Sequence, residues 1–137
     1  MERWFVDTCF LIALASRADQ HHERAVELLD QVERGNVPLV TTSAVLLELG
    51  GALSRLALRA GAITIIRELQ ADSRVEIINV NGELLEQGLA LFERRPDKEW
   101  SLADCISFEV MTRLGLAQAL TSDGHFEQAG FVALMKP

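Results

Sequence analysis

The feature that most constrains this chain is its regular exchange between short β-prone apolar runs and longer segments of helical period. Arg3-Trp4-Phe5-Val6-Asp7, Val37–Thr42, Val75–Val80, Ala117–Thr121 and Gly130–Met135 have the length and composition of strands. Between the first two, Asp19–Arg34 reads as an amphipathic helix. Ala25, Leu28, Leu29 and Val32 recur three and four residues apart, with Glu23, Arg24, Glu27, Asp30 and Glu33 on the other faces. Gly35-Asn36 closes it with residues that tolerate a left-handed backbone. A helical pattern then runs from Ser43 through Leu58, pauses near Ala60-Gly61 and resumes through Gln70. Glu83–Arg95 and Ser101–Gly115 are two further helices, and His125–Gln128 is a turn or short helical piece. Strands that alternate with helices predict βαβ units, an α/β fold whose parallel sheet is covered on both faces. No repeat, low-complexity tract or linker interrupts the 137 residues, so residues 1–137 are expected to form one domain.

Composition excludes several classes. The longest stretch without a charge, Gly35 to Leu47, is 13 residues and contains Pro38, whereas a membrane span needs roughly 18 apolar residues. Asp7 follows Met1 too closely for a signal-peptide apolar region, and the two cysteines, Cys9 and Cys105, are too few for a disulfide scaffold. Both observations point to a reducing, cytoplasmic compartment, with Cys9 a buried free thiol. Thirteen basic against 20 acidic side chains give a net charge of −7, which lacks the positive footprint of a duplex-DNA binder. The number of carboxylates therefore speaks against a nucleic-acid partner, unless their positions matter more.

Four of those carboxylates keep apolar company. Asp7 ends the first strand and Asp123 follows the fourth, and the carboxyl ends of parallel strands beside a switch point form the ligand crevice of such sheets. Glu48 is the only charge in Ser43–Leu53, and Asp104 the only charge in Trp100–Phe108. A carboxylate buried among the leucines around Glu48 must be paired, protonated or bound to a cation. There is a structural alternative for three of them. Asp7 and Asp123 can be helix N-caps, Asp123-Gly124 is also a turn dipeptide, and Ser101-Leu-Ala-Asp104 fits a capping box. Three or four carboxylates without a His or Cys cluster suit Mg²⁺ or Mn²⁺ better than zinc. Such an ion activates water and stabilises charge on a phosphate, so the implied reaction is metal-dependent phosphodiester hydrolysis.

The opening Phe-Val-Asp7-Thr8, then Thr42-Ser43-Ala-Val-Leu-Leu-Glu48, Ser101-Leu-Ala-Asp104-Cys and Thr121-Ser-Asp123-Gly-His-Phe126 together resemble a PIN-domain ribonuclease, in particular the VapC-type toxins of toxin–antitoxin pairs. The likeness spans essentially the whole chain. It implies a three-layer α/β/α sandwich with a parallel PIN-like sheet of about five strands, and Mg²⁺-dependent cleavage of RNA with Mn²⁺ as a plausible substitute. It makes Asp7 and Asp104 the most direct metal ligands. Glu48 would hold a water or act as its base, and Asp123 would complete the shell or serve a second metal position. Thr8, Ser43, Ser101 and Thr121 flank the acids and are expected to orient them by hydrogen bonds. The likeness also implies a small antitoxin partner and a homodimer.

Other features read more plainly. His21 and His22 are expected to be solvated, and His125 a loop residue rather than part of the crevice. The apolar stretch Ala44–Leu69 is more than one covered face needs, which points to a thick core or to a subunit or antitoxin interface. The competing functional class is a non-catalytic PIN-fold module that binds RNA or a protein partner. A phosphorylated receiver domain fits poorly, because the first strand ends in a single acid and the only lysines are Lys98 and Lys136.

Overall fold

The computed structural model describes residues 2–137. Five parallel strands, β1 (Trp4–Val6), β2 (Leu39–Thr42), β3 (Val75–Ile78), β4 (Gln118–Leu120) and β5 (Val132–Ala133), form one sheet in the order β3-β2-β1-β4-β5. Phe5 stands opposite Val40 on one side and Ala119 on the other, and all three are fully buried. Burial on both faces explains why these strands are continuous apolar runs rather than alternating ones. β3 is an edge, and its outward Glu76 is paired with Arg3 at 2.8 Å.

Seven helices cover the sheet: α1 (Thr8–Ala15), α2 (His22–Gly35), α3 (Ser43–Ala52), α4 (Leu56–Ala71), α5 (Gly82–Arg94), α6 (Leu102–Leu114) and α7 (Gly124–Gln128). α1 packs against α2, α3 and α4, whereas α5 packs along α6, and α6 reaches α7. Right-handed crossovers toward β3 and then back toward β5 put these two groups on opposite faces, which makes the α/β/α sandwich. The α6 face is the most deeply buried, and its Phe108 meets Phe126 and Trp100 edge-on at 4.9 and 5.0 Å. At Gly88 an added Cβ would lie 2.5 Å from Ile106 Cγ1, so the α5–α6 contact depends on the missing side chain. Asn36 (φ 51°) and Gly115 (φ 67°) end α2 and α6 in the left-handed conformation.

Three element readings need correction. The sequence pattern misses α1 because Thr-Cys-Phe-Leu-Ile-Ala-Leu-Ala has no polar face to set a period. The pause between α3 and α4 falls at Leu53–Arg55, where the Arg59 guanidinium binds the Ser54 carbonyl at 2.7 and 3.0 Å, and α4 runs unbroken through Gly61. Neither histidine of His21-His22 is simply solvated. His21 occupies the N-cap position of α2, and half-buried His22 bonds through Nδ1 to the Ala13 carbonyl at 2.7 Å near the end of α1.

Candidate active site

Chain order reverses at β1, whose neighbours are β2 and β4, so the crevice is expected beyond the carboxyl ends of β1 and β4. A cleft of about 260 Å³ opens there. Asp7, Glu48, Asp104 and Asp123 all line it, with Thr8, Cys9, Ile12 and Ala52, and no cationic side chain is among them. Four elements far apart in sequence bring these acids together: the β1–α1 junction, α3, α6 and the β4–α7 junction.

Asp7 is the deepest, with 7% of its surface exposed. It occupies the N-cap position of α1, yet its side chain makes no capping bond. Instead the Thr121 hydroxyl donates to Asp7 Oδ2 at 2.7 Å and the Cys9 thiol approaches the same oxygen at 3.4 Å. Burial raises the Asp7 pKa to about 6, against the opposing pull of the Thr121 hydrogen bond, and the Asp104 charge adds to the rise. Burial and the Asp7 charge likewise push the Cys9 thiol up to about 11, which suits a hydrogen-bond donor and not a nucleophile. Thr121 also accepts the Asp123 N–H at 3.0 Å, so one hydroxyl ties two of the acids together.

Glu48 departs from expectation. It is exposed at the rim, because α3 turns Val45 and Leu49 inward and leaves Leu47 77% exposed, so the leucines do not enclose it. Burial is therefore not what demands a partner for Glu48. It has one nonetheless, since the Thr8 hydroxyl donates to Glu48 Oε1 at 2.5 Å and braces α3 against α1.

Asp104 and Asp123 both serve as caps. Asp104 Oδ2 accepts the Ser101 N–H at 3.1 Å while the Ser101 hydroxyl accepts the Asp104 N–H at 3.0 Å, a complete capping box. Asp123 Oδ1 accepts the His125 N–H at 2.8 Å. Each bond engages one carboxylate oxygen, so capping leaves the other available. Three of the four flanking hydroxyls, those of Thr8, Ser101 and Thr121, thus bond to an acid or its backbone. Ser43 does not: its hydroxyl accepts the Val80 N–H at 2.9 Å and secures the chain after β3. His125 is likewise no loop residue. It lies in the first turn of α7, with Nδ1 3.1 Å from Asp104 Oδ2 and 3.5 Å from Asp123 Oδ1.

Four carboxylates in one cleft, with no cationic side chain lining it, are a donor set that suits a hard divalent ion. Ligand atoms of Asp104, Asp123 and His125 lie within 4.8 Å of one another. A second cavity of about 140 Å³, lined by apolar residues of α1, α2 and α4 together with Glu33, Glu68, Asp72 and Arg74, shares no residue with the acidic cleft.

A model of the PIN domain family matches residues 4–132, and the chain belongs to that family. Over 130 residues it is 33% identical to the 23S rRNA-specific endonuclease VapC20 of two Mycobacterium tuberculosis strains, with 93% of this chain and 95% of the relative covered. The crystal structure of M. tuberculosis VapC20, a sarcin–ricin loop cleaving toxin, matches with a TM-score of 0.80 at 30% identity, covering 93% of this chain and 95% of that one. FitAcB from Neisseria gonorrhoeae shares the fold, with a TM-score of 0.64 at 18% identity over 94% of both chains.

Proposed function

We propose that residues 1–137 act as one domain, a divalent-metal-dependent endoribonuclease that serves as the toxin of a type II toxin–antitoxin module. The observation that carries this reading is the convergence of Asp7, Glu48, Asp104 and Asp123 on one cleft. Mg²⁺ is the proposed cofactor and Mn²⁺ its substitute. When bound, such an ion supplies the Lewis acidity that polarises a phosphodiester and activates water. Asp7 and Asp104 would hold it directly and Asp123 would complete the set. Glu48, held by Thr8 at the rim, would accept a proton from an attacking water. The competing idea of a non-catalytic module draws support from the cap bonds of Asp104 and Asp123. It leaves Asp7 unexplained, because a buried carboxylate that caps nothing destabilises the fold unless it has another task.

Likeness to VapC20 supports structured ribosomal RNA as the first substrate to test, and a small antitoxin as partner. Among the described residues no helix is long and apolar enough to cross a membrane, and we place the activity in the cytoplasm. Leu47 on α3 and Leu56 and Ile63 on α4 are exposed, and we assign these side chains to a homodimer contact. Induced expression of the wild-type chain is expected to arrest growth, and expression of Asp7→Asn or Asp104→Asn to leave it unaffected. Equal arrest by wild type and both variants would contradict the nuclease reading.

A further inference from the structure

We propose that His125 is a positioning residue for Asp104, an inference that rests on the metal-site reading above. Phe126 is fully buried against Phe5 and Phe108, which fixes the backbone of α7 one residue away and delivers the His125 ring to the start of α6. A carboxylate can only accept, so at 3.1 Å the hydrogen between the two groups belongs to His125 Nδ1. Asp104 Oδ2 then receives two donors, Ser101 N–H and His125 Nδ1–H, and is filled. Among the described residues no hydrogen bond reaches Oδ1, which is left for a cation. The capping box alone fixes one end of this carboxylate through the helix backbone. His125 adds a clamp from a different element, so Asp104 cannot rotate without breaking a contact between α6 and α7. Because the His125 N–H also caps onto Asp123, one residue sets the orientation of two acids.

Removing such a supporting partner typically weakens metal binding 10–100-fold. The test is Mn²⁺ binding, followed by the electron paramagnetic resonance of free and bound ion, for wild type, His125→Ala, His125→Asn and Asp104→Asn. The amide nitrogen of Asn falls close to the place of Nδ1 and can donate to the same oxygen. The expected result is a loss of about 10–100-fold for His125→Ala and retention to within about 3-fold for His125→Asn. Bound Mn²⁺ is expected to show no coupling to a ring nitrogen, since Nδ1 faces Asp104 and not the ion. Wild-type affinity in His125→Ala would overturn the proposal, as would a loss in His125→Asn equal to that in His125→Ala. Nitrogen coupling to Mn²⁺ would overturn it too, by making the ring a ligand. Failure of the wild-type chain itself to bind Mn²⁺ would instead refute the metal-site reading and this inference with it. The melting temperature of each variant, measured without metal, separates a lost clamp from a lost fold.

Discussion

At the scale of single residues, Asp7 is where folding and the proposed function pull in opposite directions. Its folded pKa of about 6 lies above the ordinary 3.8, so the folded chain holds the proton more tightly than the unfolded one. The stability this group contributes is full below about 3.8 and is lost as pH rises through about 6. Above that, the ionised side chain destabilises the metal-free protein by an amount on the order of 2–3 kcal/mol. Asp7→Asn is therefore expected to raise the melting temperature at pH 7.5 without metal, and to abolish the further rise that Mg²⁺ gives the wild type. A lower melting temperature for the variant would mean that the ionised form is not strained. The same proton competes with the cation, so Mn²⁺ affinity is expected to fall as pH drops from 7.5 through about 6, measured by titration at fixed ionic strength. All four acids were legible in the sequence as lone charges in apolar segments. The Ser101–Asp104 capping box was legible too, but which acid each flanking threonine serves was not, because Thr8–Glu48 and Thr121–Asp7 join residues 40 and 114 positions apart. Nor was it legible that capping and facing the cleft are compatible, which follows from a carboxylate having two oxygens.

The elements were readable wherever a helix has two unlike faces. α2 and α5 have them and appear in the sequence, while α1, apolar on every side, does not. Strand cores were legible as β-branched or apolar runs, but their ends were not: Val37 and Val80 lie outside β2 and β3, because pairing with a neighbour and not residue type ends a strand. The α5–α6 contact offers a direct check on packing. Gly88→Ala places a methyl group against Ile106. Overpacking of this kind costs about 1–3 kcal/mol, more than the roughly 1 kcal/mol that Ala gains over Gly in helix propensity. A net loss of unfolding free energy is expected in urea titration; a gain would show that the two helices separate without penalty. Thr8→Val, which removes the brace between α1 and α3, is expected to reduce RNA cleavage about tenfold while leaving the fold intact. Unchanged cleavage rates would show that Glu48 needs no such support.

For the whole molecule, strand order matters more than any one element, since the reversal at β1 is what brings Asp7 beside Asp123. The net charge of −7 is misleading at this scale. Setting aside the four cleft acids leaves 16 acidic against 13 basic side chains, and a divalent ion held between those four would offset part of their negative charge. The apolar excess of Ala44–Leu69 resolves into two parts, a buried share that includes Val45, Leu49 and Ala62 and an exposed face that includes Leu56, 88% exposed. Replacing Leu56 and Ile63 by Lys is expected to convert a species of twice the 15.2 kDa chain mass into one of 15.2 kDa in light scattering, with little change in melting temperature. A wild type that is already monomeric would contradict the homodimer. Cleavage of RNA by a divalent ion held between the four acids is the proposed activity. Its most direct test is incubation of the purified chain with an end-labelled sarcin–ricin stem-loop transcript in Mg²⁺, Mn²⁺ or EDTA. Cleavage at a discrete position with either ion, lost in EDTA and in Asp7→Asn and Asp104→Asn, is the expected result. Cleavage that persists in EDTA or in both variants would contradict it, as would intact RNA with either metal.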